Sequence, residues 1–255
     1  MKKNVKHRQS KKQKPATAPF SAKYTACLLG AEQLVKEFSA VVQSSGIAVL
    51  EIKNRASVKT SAKKISIAFE VTLEGNDEKM KNLIALDESL PPDIPIVTNS
   101  ITTTVLSQAQ HLKNNQRVIG AALFPTLLEN AVVELAPSLY TTQAIADSVV
   151  AFFKSLNKQT AIVEDSVGMV MPRILCQIIN EALFAVLSDV ANPKDIDTAM
   201  KLGTNYPHGP IEWGEKIGFR NILAVLDALY RNYGEERYRV APLLRQMAIA
   251  GRFWS

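Results

Sequence analysis

Seven short apolar runs alternate with polar and amphipathic segments between residues 24 and 165, and no other feature limits the range of folds so strongly. The runs are YTACLLG, GIAVLEI, KISIAFEVTL, IPIVTNS, RVIGAALF, AVVEL and TAIVED. Two intervening segments, DEKMKNLIALDESL and TQAIADSVVAFFKSLN, have the spacing and the acidic or Thr-bearing starts of helices. Residues 23–165 are therefore predicted to form an α/β domain with a mainly parallel sheet covered by helices.

The pattern changes after Asp165, where the strand signals stop and apolar residues recur at helical spacing. Two adjacent rows form a wide stripe that predicts a buried helix: Ile174, Ile178, Ala182, Val186 and Val190, and beside them Leu175, Ile179, Leu183 and Leu187. Asn192 and Pro193 then suit an N-cap and a first helical residue, and Gly234 is placed to end a helix. Residues 166–255 are therefore predicted to form an all-helical domain.

The first fourteen residues, MKKNVKHRQSKKQK, carry seven Lys or Arg and no acid. Removing these seven charges from the formal net charge of +6 leaves the rest of the chain at −1. Such a run cannot bury enough apolar surface to offset its chain entropy, so we expect residues 1–22 to form a disordered, solvated arm. Contact with nucleic acid or an anionic membrane surface is the alternative for this arm, but a nucleic-acid partner is not the favoured interpretation.

The start of the chain lacks the apolar run of a secretory signal, and no apolar stretch is long enough to span a bilayer. We therefore expect a cytoplasmic protein. Cys27 and Cys176 are isolated from each other and have no histidine at ligand spacing. They are expected to pack as small apolar side chains in a reducing compartment, and no metal site is expected.

The segment KLGTNYPHGPIEWGEKIGF, residues 201–219, concentrates turn-forming and aromatic residues between two helical patterns. A rigid turn is predicted by four of them, Gly203, Pro207, Gly209 and Pro210. Tyr206 and Trp213 supply aromatic area that can be buried beside the turn. By residue type alone, the segment is a structural hinge between two helices.

Residues 195–252 resemble the C-terminal helical domain of the 3-hydroxyacyl-CoA dehydrogenase family in DIDTAMKLGTNYPHGPIEWGEKIGF and in ILAVLDALYRNYGEERYRVAPLLRQMAIAGR. RVIGAALFPT and QTAIVEDSVGMVMPRILCQIINEA are similar to upstream family segments. The form NYPHGPIEWG is similar to the second, C-terminal half of long bacterial enzymes of the 3-hydroxyadipyl-CoA type. The resemblance implies a Rossmann-like NAD-binding domain, a helical domain that forms much of a homodimer interface and one wall of an acyl-CoA cleft, and a role in acyl-CoA or fatty-acid metabolism.

A dinucleotide site needs glycines in the first strand-to-helix turn, so that backbone and helix N-terminus can approach the diphosphate. The turn here is LLGAEQLV, in which Gly30 occupies the first glycine position. Glu32 and Val35 stand where the second and third glycines belong. Glu32 adds both a Cβ and a negative charge where two phosphates would lie, so the turn opposes a dinucleotide sterically and electrostatically.

The end of the second predicted strand also departs from the family. Lys53 stands where the family has the acid that receives the ribose hydroxyls, and Glu51 would replace that acid only if the strand slipped. Lys53 alternatively suits a 2′-phosphate. Glu70 and Glu74 match the family's acidic pattern after the next strand. Gly30 and Glu70 are thus the candidate cofactor-binding residues, and we expect NAD binding to be weak or absent.

The link between the second and third strands is short. Only eleven residues, NRASVKTSAKK, lie between Lys53 and Ile65, where active relatives have a helical pair that contacts the CoA moiety. We expect this basic segment to be a solvated loop. The resemblance still implies an acyl-CoA ligand, but with reduced affinity.

Oxidation of a secondary alcohol by hydride transfer calls for a general base with a near-neutral pKa, which is usually histidine. The chain has three histidines: His7 in the basic arm, His111 near a predicted helix end and His208 in the turn-rich segment. None of them follows the fifth predicted strand, where the family carries its base.

The family pairs that base with a glutamate twelve residues later. By this spacing Glu134 is present, whereas the base position is Ala122. The positions of the serine and the two asparagines that help bind substrate are Ile101, Pro125 and Pro172. We therefore predict a catalytically impaired family member that acts as an accessory or partner module, as a homodimer or bound to an active acyl-CoA enzyme.

Two alternatives remain open. The first is an active NAD-dependent 3-hydroxyacyl-CoA dehydrogenase that works through displaced residues, with Glu134 and a relocated base at His208 as candidate catalytic groups. The second makes the basic arm the functional element, for RNA or a membrane surface, with the folded body as its scaffold. For Glu134, the competing interpretation is a strand carboxylate with a local structural partner.

Overall fold

The computed structural model describes residues 24–74, 77–125 and 131–251 of the chain. The prediction of a disordered arm at residues 1–22 lies outside the described residues. Within those ranges, strands and helices alternate as far as Ile162, and the regular elements that follow are helices.

The seven predicted strands are confirmed and form one sheet in the described part of the chain. They are β1 (Thr25–Leu29), β2 (Ala48–Glu51), β3 (Ile67–Glu70), β4 (Ile96–Asn99), β5 (Val118–Ala121), β6 (Val132–Pro137) and β7 (Gln159–Ile162). The strand order is β2-β1-β3-β4-β5-β6-β7, and every pairing is parallel except that of β5 with β6. Residues 122–131 join β5 to β6, a connection shorter than the crossover of about a dozen residues that a parallel pair requires.

Helices cover both faces of this sheet. They are α1 (Glu32–Ser44), α2 (Ala56–Ser61), α3 (Asp77–Ser89), α4 (Val105–Ala109) and α5 (Gln143–Ser155). On one face, Phe38 of α1 packs edge-on against Phe69 of β3, and Phe152 of α5 lies on the same ring. On the other face, Leu83 of α3 and Val105 of α4 belong to a core that continues into the C-terminal helices.

The loop predicted between Lys53 and Ile65 is wrong, because α2 and a 3₁₀ turn (Ala62–Lys64) occupy it. The side chain of Asn54 accepts a hydrogen bond from the N–H of Ala56 at 3.0 Å and so starts the first turn. Val58 on this helix is fully buried in the core. One apolar side chain in a basic segment is too weak a periodic signal to predict a helix.

The helical domain consists of α6 (Met171–Leu187), α7 (Pro193–Thr204), α8 (Pro210–Ile217), α9 (Phe219–Tyr233) and α10 (Pro242–Ala250). The predicted start of α7 is confirmed, because Asn192 Oδ1 accepts from the N–H of Asp195 at 2.9 Å and Pro193 is the first helical residue. Gly234 ends α9 in the left-handed conformation, as predicted. None of the helices in the described part of the chain combines the length and the apolar character needed to cross a bilayer.

Only half of the apolar stripe predicted for α6 is buried. Leu175, Ile179 and Leu183 lie in the core, whereas the side chain of Ile174 is 51% exposed and Val190, beyond the helix end, is 73% exposed. The prediction of an all-round buried stripe is wrong for the single chain, because α8, α9 and α10 pack on one side of α6. An apolar surface on the outer side of α6 is left open.

A buried ion pair ties α3 to the start of β5. The Nη2 of Arg117 lies 2.8 Å from Oδ1 of Asp87, and both side chains are almost completely buried. Asp87 also accepts from the side chain of Asn114 and the N–H of Lys113. Burial alone would raise the pKa of Asp87, but these hydrogen bonds outweigh it and hold the pKa below its ordinary value. Since Arg117 precedes β5, this pair stabilises the amino edge of the sheet, away from the strand ends where ligands bind.

Both cysteines are buried and reduced, as expected. Burial raises the pKa of Cys27 in β1 to about 12 and raises that of Cys176 in α6 as well. Thiolates are the reactive form of cysteine, so both side chains act as small apolar residues of the core.

Candidate functional site

The carboxyl ends of the parallel strands meet at one edge of the sheet. Gly30 follows β1, Lys53 follows β2 and Thr72 follows β3, and all three line a cavity of about 840 Å³ together with Glu32 and Asn82. Open α/β sheets bind their ligands at this edge. The cavity is therefore the structural counterpart of the predicted cofactor site.

Gly30 is required by the fold itself. Its φ is +136°, and a Cβ at this position would lie 2.7 Å from the backbone nitrogen of Thr72. The β1–α1 turn thus packs too closely on the segment after β3 for any side chain. The presence of this glycine is explained whatever the turn binds.

Glu32 is the first residue of α1, and its side chain is 82% exposed. The carboxylate forms an ion pair with Lys36, one turn later, at 2.7 Å. The hydrogen bond and charge of Lys36, with a smaller effect of Lys53, hold the pKa of Glu32 below its ordinary value. An ionised carboxylate therefore stands at the helix N-terminus, where the helix dipole would otherwise favour a bound anion. Val35, also in the first turn, is buried in the core with part of its surface on the cavity.

Lys53 and Glu51 are both exposed at the end of β2. Glu51 pairs in register with Leu28 of β1, so β2 is regular to its last residue. The slip that would bring Glu51 to the position of Lys53 does not occur. The cavity rim at this point therefore carries a cation where the family has an acid.

Glu70 lies at the end of β3 and is completely buried. Its Oε2 accepts from Nζ of the buried Lys79 at 2.7 Å, and its Oε1 accepts from the side-chain amide of Asn82 at 3.1 Å and from the hydroxyl of Thr72. Burial lowers the pKa of Lys79, and the ion pair with Glu70 opposes that shift. The structure thus gives Glu70 a set of internal donors rather than an open face toward the cavity.

Sequence reasoning missed the partners of Glu70. Lys79 and Asn82 lie in DEKMKN, a polar first turn of α3 in which neighbouring lysines look equivalent. Arg55 was missed as well; its Nε donates to Asn82 Oδ1 at 2.8 Å and its guanidinium forms an ion pair with Glu78. The signal available was weak, namely that an apolar strand ending in an acid needs a cation nearby.

Ala122 and Glu134, the family's base position and its partner, are adjacent. The N–H of Ala122 donates to the carbonyl oxygen of Glu134 at 3.0 Å. The carboxylate of Glu134 accepts from the N–H groups of Val170 at 2.9 Å and Met171 at 2.7 Å, so it caps the start of α6. The structure therefore supplies the local partner that the structural interpretation of Glu134 requires.

The positions that correspond to the substrate-binding serine and asparagines are apolar and buried. Ile101 is completely buried, and Pro125 and Pro172 are buried as well. The carbonyl oxygen of Ile101 accepts from the N–H of Gly168 at 2.6 Å, which ties the end of β4 to the segment before α6. None of these three side chains can donate a hydrogen bond to a substrate.

His208 lies in the predicted turn and is half-buried. Its Nδ1 is 2.6 Å from Oε1 of Glu212, and its ring lies edge-on to Trp213. The hydrogen bond and charge of His208 outweigh the burial of Glu212 and hold the pKa of that carboxyl below its ordinary value. Asp197 caps α8 by accepting from the N–H groups of Ile211 and Glu212 at 2.8 and 3.0 Å. The turn is thus held rigidly, as the hinge interpretation predicts.

The other two histidines do not join this group. His111 is exposed in the turn after α4, and His7 lies outside the described residues. In residues 24–74, 77–125 and 131–251, no cluster of three or more His, Cys, Asp or Glu side chains has the arrangement of a metal site.

The fold and the cleft define a class of protein, a Rossmann-like domain with a ligand cavity at its carboxyl edge, followed by an all-helical domain. Within this class, the family model of the 3-hydroxyacyl-CoA dehydrogenase NAD binding domain matches residues 22–166, and that of the 3-hydroxyacyl-CoA dehydrogenase C-terminal domain matches residues 168–254. The chain therefore belongs to the 3-hydroxyacyl-CoA dehydrogenase family, and the predicted family and fold class are confirmed.

Curated relatives agree with this assignment. The 3-hydroxybutyryl-CoA dehydrogenase of Clostridioides difficile is 33% identical over 190 residues, which are 74% of this chain and 68% of that one. The probable 3-hydroxybutyryl-CoA dehydrogenase of Bacillus subtilis is 30% identical over 228 residues, 87% of this chain and 79% of that one. The 3-hydroxyadipyl-CoA dehydrogenase of Escherichia coli is 42% identical over 118 residues, 46% of this chain and 25% of that one.

Solved structures show the same architecture. The (S)-3-hydroxybutyryl-CoA dehydrogenase of Ralstonia eutropha matches with a TM-score of 0.71 at 26% identity, over 90% of this chain and 95% of that one. The 3-hydroxybutyryl-CoA dehydrogenase of Escherichia coli matches with a TM-score of 0.69 at 20% identity, over 91% of this chain and 57% of that one. At 20% identity the latter likeness concerns the fold alone.

Proposed function

We propose that this family member is catalytically impaired and acts as an accessory or partner module in acyl-CoA metabolism. The observation that carries the proposal is the pair formed by Ala122 and Glu134. The position of the base has a methyl group, and the carboxylate that would orient a base instead caps α6 through Val170 and Met171. The scaffold of the site is retained, and its proton-transfer group is missing.

The size of the expected defect follows from general catalysis. Loss of a general base costs about 10²- to 10⁴-fold in rate, and loss of each hydrogen-bond donor to the reacting oxygen costs about 10²- to 10³-fold. Ile101, Pro125 and Pro172 provide no such donor. Turnover is therefore expected to be at least about 10⁴-fold below that of an intact relative.

NAD binding is proposed to be weak or absent. The β1–α1 turn does not fit a diphosphate, because the charge of Glu32 stands at the helix N-terminus and Val35 fills the position of the third glycine. Glu70 is saturated by internal donors, and Lys53 replaces the acid for the ribose hydroxyls. A titration with NADH followed by cofactor fluorescence is expected to stay flat to millimolar concentration, and a saturating curve in the micromolar range would contradict this part of the proposal.

The activity test is oxidation of NADH with acetoacetyl-CoA and with a longer 3-oxoacyl-CoA at high protein concentration. The Clostridioides difficile enzyme serves as the active control. Rates at least about 10⁴-fold below the control support the proposal. Rates within about a hundredfold of the control would sink it, because the chemistry would then use other residues.

An active dehydrogenase with displaced residues is the second candidate, and one observation favours it. His208 and Glu212 form an imidazole–carboxylate pair at 2.6 Å, the same pairing that family catalysis uses elsewhere in the chain. If turnover is found, His208→Ala should abolish it, whereas His111→Ala, at an exposed turn, should leave it unchanged. Turnover that survives His208→Ala excludes this base.

We also propose that the chain associates, with a second copy or with an active acyl-CoA enzyme, through the outer surface of α6 and α7. Met171 and Ile174 of α6 and Leu202 of α7 expose apolar surface there, and α7 contains no buried residue in the single chain. Light scattering after gel filtration should give a dimer that Ile174→Glu dissociates. Ile84→Glu, at an exposed position on α3, is the matched control. A monomer that also fails to co-purify with an active acyl-CoA enzyme would remove the partner role.

A further inference from the structure

A second cavity, of about 800 Å³, lies between the carboxyl edge of the sheet and one face of α9 and α10. Glu74, after β3, and Thr102, after β4, line it on the sheet side. Its volume is in the range of small-molecule sites, and its place at the ends of parallel strands is where α/β proteins bind ligands. The residues that line it on the helical side include three arginines, which the sequence analysis did not single out.

The lining residues of α9 form a single stripe along the helix. They recur at intervals of three and four residues, namely Arg220, Leu223, Ala224, Asp227, Tyr230 and Arg231. Arg220 and Arg231 are eleven residues apart, about 16 Å along the axis at 1.5 Å per residue. Ala248 and Ile249 of α10 complete the wall beside them. The cavity thus has a cation toward each end of the α9 stripe and apolar side chains between them.

The charges along this stripe are not balanced. Asp227 is neutralised by Arg245, whose Nη2 and Nη1 lie 2.7 and 3.3 Å from its two carboxylate oxygens. The Nε of Arg220 donates to the carbonyl oxygen of Ala248 at 2.9 Å, and that of Arg231 donates to the carbonyl oxygen of Asp227 at 3.2 Å. The terminal amino groups of both arginines have no acceptor among the described residues. Against these two cations stands the carboxylate of Glu74, so the cavity retains a net positive charge.

We propose that this cavity binds an amphipathic organic anion, a carboxylate with a medium-length apolar chain. The terminal amino groups of Arg220 hold the carboxylate, because a guanidinium fork matches carboxylate geometry. The hydrogen bond to Ala248 fixes the orientation of this fork beside the apolar residues of α10. The chain of the ligand lies over Leu223 and Ala224. This binding requires neither turnover nor NAD, so it stands or falls independently of the proposed function.

The test is isothermal titration of the full chain with octanoate and with octanamide, which has the same chain but no charge. Octanoate should bind saturably at one site, and octanamide should bind at least about tenfold more weakly, in line with the strength of charge-assisted hydrogen bonds. Arg220→Gln should weaken octanoate binding by about tenfold or more. Arg237→Gln, at an exposed arginine paired with Glu235, should leave it unchanged.

Arg220 also joins α9 to α10, so the fold of the variant is checked by circular dichroism. If Arg220→Gln unfolds, Arg220→Lys retains the charge without the fork and should bind octanoate more weakly than the wild type. Three results would overturn the proposal: no saturable octanoate binding, equal affinity for octanamide, or equal weakening by the variants at positions 220 and 237. The last would indicate unspecific attraction to surface charge.

Discussion

Ala122 and Glu134 lie opposite each other where the antiparallel β5–β6 pairing ends, joined by a 3.0 Å hydrogen bond from the N–H of Ala122 to the carbonyl oxygen of Glu134. Directly opposed residues of an antiparallel pair have their Cβ atoms about 5 Å apart on the same face. The backbone thus still presents the family's base position to its carboxylate partner. What has been lost is the side chain, and the frame that would hold it remains.

Restoring the imidazole should therefore restore some chemistry. Ala122→His places a general base beside Glu134 and is expected to raise NADH oxidation with acetoacetyl-CoA by about 10²-fold over the unmodified chain. Ala122→Phe adds similar bulk without a base and should give no increase. Equal rates for the two variants would show that the histidine does not reach the substrate.

Glu134 is expected to contribute to stability through α6. Glu134→Gln removes the negative charge that accepts from Val170 and Met171, and the free energy of unfolding should fall by about 1 to 2 kcal/mol. Glu181→Gln changes an exposed carboxylate in the middle of the same helix and should have little effect. Urea denaturation of both variants measures the difference, and equal stabilities would contradict the capping role.

Gly30 should be needed for the fold even without a cofactor. Gly30→Ala brings a Cβ to 2.7 Å from the backbone nitrogen of Thr72 at a φ of +136°, and should destabilise by more than about 1 kcal/mol. Gly46→Ala is the matched control, because Gly46 has a φ of +76° but no atom within 4 Å of the added Cβ. The loss at position 30 should exceed that at position 46. The reverse order in thermal unfolding would refute the packing argument.

The ion pair of Asp87 and Arg117 should make stability depend on pH. Asp87→Asn leaves Arg117 buried without its counterion and should cost about 3 to 5 kcal/mol at pH 7. Because the folded-state pKa of Asp87 is below its ordinary 3.8, the stabilisation is present above that value and is lost as the pH falls through the folded-state pKa. The stability difference between wild type and variant should therefore shrink below pH 4. Asp147→Asn, at an exposed site on α5, should show no such trend, and a difference independent of pH would contradict the assignment.

Glu32 should oppose nucleotide binding through its charge. Glu32→Gly removes the carboxylate and the Cβ from the N-terminus of α1, and NADH affinity should rise by about five- to tenfold, as expected for one charge near a phosphate at the surface. Gln33→Gly makes the same backbone change at the next residue and should leave affinity unchanged. Fluorescence titration measures both, and equal affinities would show that Glu32 is not the obstacle.

Local patterns were sufficient for most of the fold. The seven strands follow from runs of buried apolar residues, and the start of α7 at Asn192 and the end of α9 at Gly234 follow from capping preferences, because each signal involves residues close together in the chain. The segment of α2 was mispredicted, since it is fixed by a single buried residue, Val58. The outer row of α6 was mispredicted because its exposure depends on which helices pack against it.

The sequence by itself determined the family, the order of the elements and the absence of an imidazole at position 122, since these depend on residue identity and spacing. Only the tertiary structure decided how the charged groups are used. Glu134 reaches Val170 and Met171, 36 and 37 residues away, and Asp87 reaches Arg117, 30 residues away. Burial removes water as a competing partner, so each of these groups depends on whichever donor the fold brings within hydrogen-bond distance, and no local pattern records that choice.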